Sequence, residues 1–84
     1  MEENIAVFTT SQVLEGKPIL YVYHDMDGEW QFHSEFSPDI NDIKIVALNQ
    51  IAMIDNSVNE LFDLQCGWNA WREGPNDVWK RKKE

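Results

Sequence analysis

The stretch PILYVYHDMDGEWQFHS, residues 18–34, decides the fold. Two runs rich in β-branched and aromatic residues, PILYVYHD and EWQFHS, flank an Asp27-Gly28 turn signal. Such runs favour strands, and Asp and Gly tolerate the backbone conformations of tight turns, so the stretch predicts a β-hairpin. The loop length then decides which side chains share a face, because direction alternates along a strand. A loop of two or four residues sets Tyr21 and Tyr23 beside Trp30 and Phe32. It collects the larger apolar area on one side and is the expected register. A three-residue loop, Met26 to Gly28, sets Leu20 and Val22 beside Trp30 and Phe32 instead. Ile19, Tyr21, Tyr23, Gln31 and His33 then form a tyrosine-rich, half-polar face of the kind that suits a partner.

The same stretch holds His24, Asp25, Asp27 and His33, which raises metal binding. An EF-hand loop counted from Asp25 needs glycine sixth and glutamate twelfth; Gly28 is fourth and Phe36 is twelfth, so the pattern fails. Two histidines fall short of a zinc set, and Cys66 stands more than thirty residues away without a second cysteine. The acids and the glycine are expected to shape the turn, with no metal and no cofactor.

Outward from the hairpin, TTSQVLEGKP reads as a short helix. Thr9 and Gln12 have capping-box spacing, Gly16 can take the left-handed terminal position, and Pro18 stops continuation. IKIVAL, residues 43–48, is a third strand, and NQIAMID is expected to form a helical turn. Asp55 or Ser57 can cap a following short helix with Val58, Leu61 and Phe62 on one face. GWNAWREGP would bring Trp68 and Trp71 together if helical, and Gly74-Pro75 would end it. The expected architecture is a small single α+β domain, residues 1–79. An antiparallel sheet of about three or four strands carries short helices on one side, and a basic tail, residues 80–84, is frayed and solvated.

Composition bounds the function. A chain of 84 residues with 43% hydrophobic and 26% charged residues suits one folded core. Residues 1–79 hold 14 acids and three bases, a net −11, while the last five carry +3. So acidic a body repels nucleic-acid phosphates and attracts a basic protein. Cys66 is the only cysteine, MEENIAVF opens with acids rather than the bases of a signal peptide, and no apolar run approaches the roughly 20 residues of a membrane span. A cytoplasmic protein without membrane association is expected.

No nucleophile elbow, P-loop, dinucleotide fingerprint or zincin motif is present. A Cys66 pair with His24 or His33 is conceivable, but Cys66 follows an apolar segment and is expected to be a small buried residue. The expectation is therefore non-enzymatic. Burying a tryptophan is worth roughly 4–6 kcal/mol, so most of the four should be structural, Trp30 foremost. Trp68, Trp71 and Trp79 near the C-terminus, with Arg72, and Asp25 and Asp27 at the hairpin tip, are the candidate partner-binding residues. A small-molecule-binding or housekeeping domain is the alternative.

The succession FTTSQVLEGKPILYVYHD, GEWQF, IVALNQIAMIDNSVNELFDL and GWNAWRE, covering roughly residues 7–73, resembles a family of small bacterial domains of unknown function grouped with predicted immunity proteins of polymorphic toxin systems. Its most specific parts are Gly28, Trp30 and Phe32, then Leu48, Asn49, Ile51, Ala52, Ile54 and Asp55. This chain departs from it at His24-Asp25, where the family often carries an Arg-Glu pair in a longer, more charged loop. The resemblance implies an α+β fold and a binding role, with no established catalytic residues to carry over; the partner expected is a protein, a basic toxin domain in the immunity case.

Overall fold

A computed structural model of the protein describes residues 5–84. The chain forms β1 (Ala6–Thr10), α1 (Ser11–Leu14), β2 (Tyr21–His24), β3 (Trp30–His33), β4 (Ile43–Ala47), α2 (Leu48–Ile54), a 3-10 helix (Asn56–Leu61), β5 (Trp68–Trp71) and β6 (Lys80–Lys83). A shorter 3-10 turn, Ile40–Asp42, precedes β4. The six strands make one mixed sheet in the order β4-β1-β3-β2-β5-β6. Only β1 and β3 run parallel; every other neighbouring pair is antiparallel.

The α+β class holds, with six strands in place of three or four. Three strands were not expected: β1, whose Thr9 and Thr10 fall in the segment read as helix and whose parallel pairing with β3 makes the sheet mixed rather than antiparallel, and β5 and β6, from segments expected to be helix and tail. Gly67, at φ +83°, turns the chain into β5, which pairs with β2 through Val22 opposite Ala70. The basic tail pairs with β5 as β6, from Trp68 opposite Lys83 to Trp71 opposite Lys80. Four consecutive bases carry no strand periodicity, but they suit an exposed sheet edge, where charge discourages further pairing.

The hairpin adopts the three-residue loop, contrary to the expected even register. Tyr21 faces His33, Val22 faces Phe32, Tyr23 faces Gln31 and His24 faces Trp30. The ladder runs one pair further, the Asp25 amide donating to the Glu29 carbonyl at 2.8 Å, which leaves Met26, Asp27 and Gly28 as the loop. Gly28 alone in the loop has positive φ, +91°. A two-residue type I′ turn needs positive φ at both residues, and Asp27 is not in that region; a glycine in the left-handed region at the third position belongs to the three-residue loop.

Side chains of Val7, Trp30, Phe32, Val22 and Ala70 consequently point to one side and meet Val13, Leu48, Ile51, Val58, Leu61 and Leu64 from the helices and the segment after them. All of these are buried, Trp30 at 4% exposure. Thr10, rather than Thr9, caps α1 by accepting from the Val13 amide. Thr9 lies in β1 and donates its hydroxyl to the Phe32 carbonyl at 2.8 Å, tying β1 to β3. Asp55 caps the 3-10 helix through the Ser57 amide.

Candidate functional site

The sheet face turned away from the helices carries Phe8, Ile45, Gln31, His33, Tyr21, Tyr23, Asn69, Trp71 and Lys82, since each stands opposite another member in the ladders. Tyr21, Tyr23 and Trp71 are half-buried there, and Phe36 from the loop after β3 meets the Tyr21 ring edge-on at 5.8 Å. These four aromatics, with Asn69 and Lys82, line a groove of about 450 Å³. Phe36 is 73% exposed, a large apolar surface left in water at the groove's rim. The Lys82 ammonium lies 5.7 Å from the Trp71 ring centroid. Burial, and then the negative charge of Tyr21, Glu84 and Asp25, raises the Tyr23 hydroxyl's pKa. The groove floor is therefore aromatic with carboxylates close by.

A polar relay stands beside the groove. Gln31 donates its amide to the Asp25 carboxylate at 2.7 Å and accepts from His33 Nε2 at 2.9 Å. The carboxylate can only accept, so the glutamine oxygen is left to face the histidine, which must carry its proton on Nε2. His33 Nδ1 is buried without a partner among the described residues, as is the Asn69 amide oxygen. Burial drives the His33 pKa below its ordinary 6.5, against a smaller upward pull from Asp25.

The residues picked out from sequence do not form one patch. Trp68 and Trp71 occupy opposite faces of β5, because three positions along a strand reverse direction. Trp68 packs at the margin of the core, and Trp71 enters the groove. Arg72 is 2% exposed, which removes it from the partner-binding set. Its guanidinium donates to the Ile19 carbonyl at 3.0 Å, the Ser57 hydroxyl at 2.9 Å, the Pro75 carbonyl at 3.0 Å and Asp55 at 2.5 Å. Trp79 is half-buried with its ring 4.1 Å from that guanidinium, so it covers the arginine rather than presenting a free anchor. Burial opposes ionisation of Asp55, but hydrogen bonds from Ser57 and Arg72 outweigh it and hold the carboxyl below its ordinary range. Glu73 and Asp63 pair instead with Lys80 and Arg81. Asp25 is engaged by Gln31, and Asp27 accepts from the Glu29 amide at 3.0 Å, shaping the loop.

Tyr21 and Tyr23 belong to the partner-suited face that a three-residue loop predicts, whereas Phe36 and Asn69 are not among the candidate residues. The alternation of Tyr21 and Tyr23 is the signal for that face once the loop is given three residues. His24 and His33 point to opposite sides of the sheet and cannot share a ligand. Cys66 is exposed, not buried, and its Sγ is 3.6 Å from His24 Nε2.

Comparison with protein-family models, with curated proteins and with solved structures found no match to the chain. Among the described residues, no helix is long and apolar enough to cross a membrane.

Proposed function

We propose that the protein is a non-catalytic protein-binding module whose contact surface is the helix-free sheet face around Tyr21, Tyr23, Phe36 and Trp71. The observation that carries this reading is the hairpin register, which gathers three half-buried aromatics and an exposed phenylalanine around one groove rather than in the core. Tyrosine and tryptophan combine large apolar area with a polar handle and dominate binding energy at protein interfaces. The partner is a basic protein: the chain carries a net charge of −8, and Asp25 and Glu84 add local negative potential at Tyr23. Charge speeds encounter, and the aromatics slow dissociation. An immunity-type role in the cytoplasm, neutralising a basic toxin domain, fits that partner and the sequence resemblance.

One observation favours a second reading. A groove of about 450 Å³ with an unpartnered Asn69 oxygen is large enough for a small molecule. Affinity capture from the native host, at low and high salt, separates the two. Wild type should retain a basic protein less well as salt rises, and a folded Tyr23→Ser, Trp71→Ser double variant should lose it. Capture that survives both substitutions contradicts the assignment, and a small molecule co-purifying with wild type but not with the double variant favours the second reading.

A further inference from the structure

The proposed binding face makes no use of Cys66 and His24, which lie on the other side of the sheet and in the turn leading to β5. His24 Nδ1 stands 2.7 Å from the Leu64 carbonyl oxygen. A carbonyl only accepts, so Nδ1 carries the proton and Nε2 presents its lone pair. That lone pair faces the Cys66 thiol at 3.6 Å. The imidazole is held twice over, because its ring also stacks on Trp30 at 3.9 Å with an interplanar angle of 12°. A nucleophile, a base within reach and a third group that orients the base are thus present together. Cys66 is exposed, and a concavity of about 260 Å³ lined by Asp63, Leu64, Gln65, Trp68 and Arg81 adjoins the same turn.

We propose that Cys66 is a modification site, a His24-activated thiol that undergoes S-thiolation by small-molecule disulfides of the glutathione class. The thiol proton passes to His24 Nε2, and the Cys66 thiolate attacks one sulfur of the disulfide. A new Sγ–S bond forms as the reagent's S–S bond breaks, and the departing thiolate takes the proton from Nε2 and leaves as a thiol. One equivalent of disulfide is consumed per chain, with no other oxidant. The product is a mixed disulfide on the surface beside Trp68, away from the aromatic groove.

The test is the rate of reaction of the full chain with oxidised glutathione at mildly acidic pH, followed by intact mass and referenced to N-acetylcysteine. Wild type should react about tenfold faster than the reference, because His24 takes the thiol proton as Cys66 attacks. His24→Gln should fall to the reference rate, and Cys66→Ser should gain no mass. Should His24→Gln not fold, wild type in unfolding concentrations of urea serves in its place, and its advantage over N-acetylcysteine in the same urea should vanish. A native rate equal to the reference, or an advantage that survives loss of His24 or unfolding, overturns the proposal.

Discussion

Arg72 shows how one side chain organises the C-terminal half. Its guanidinium joins the segment before β2 (Ile19), the 3-10 helix and its cap (Ser57, Asp55) and the loop after β5 (Pro75), under the ring of Trp79. Removing one partner of a buried pair strands the other, so Arg72→Met should cost about 3 kcal/mol, read as a lower urea midpoint. An unchanged midpoint would mean that the network contributes nothing. Trp30→Ala removes a core side chain that is also the platform for His24 and should cost about 3–5 kcal/mol by the same measurement. His33 supplies a pH dependence. Its folded pKa lies below its ordinary value, so the unfolded chain binds the proton more readily. Its stability contribution is complete above the ordinary value of 6.5 and is lost as pH falls through that value toward the lower folded one. Urea midpoints should therefore decline on mild acidification, and His33→Gln should flatten that decline. The burial of Trp30 was legible because either hairpin register places it with Phe32. The role of Arg72 was not, since a lone arginine in an acidic chain has many potential partners and only the fold brings Asp55 to it.

At the scale of the element, the loop and β5 carry the lesson. Counting apolar area favoured an even loop, but the two tyrosines have hydroxyls to hydrate, and the space under the helices is filled by Trp30, Phe32, Val22 and Ala70. Gly28 closes the loop at any of these lengths, with φ +91°; the three-residue loop is marked by Asp27, which lacks the positive φ that a type I′ turn requires. An alanine in place of Gly28 is strained, so Gly28→Ala should cost about 1–2 kcal/mol. The tryptophans of GWNAW have helical spacing, yet Trp68 and Ala70 point one way, and Asn69 and Trp71 the other, once β2 offers its edge. β6 was illegible locally, because four bases gain strand structure only from outside: β5 pairing, the Arg81–Asp63 ion pair at 2.9 Å and the Arg81 bond to the Glu60 carbonyl. Deleting residues 80–84 should consequently lower stability by more than about 1 kcal/mol, because it strips a paired strand from β5, whereas a frayed tail could be removed without effect.

Across the whole molecule, the fold divides its labour between the two faces of one sheet. Helices and core occupy one side; aromatics, a neutral histidine and nearby carboxylates occupy the other. Net charge was fully legible from the sequence, while the surface proposed to receive a partner emerged only from strand order and register. The most direct test is a kinetic one on the captured partner, comparing wild type with Trp71→Ala in the groove and Met53→Ser on exposed α2, where Met53 is 84% exposed. Trp71→Ala should dissociate at least about tenfold faster with its association rate little changed, Met53→Ser should match wild type, and all three should associate more slowly as salt rises. Equal dissociation of Trp71→Ala and wild type, or a defect confined to Met53→Ser, would contradict the assignment of the binding face.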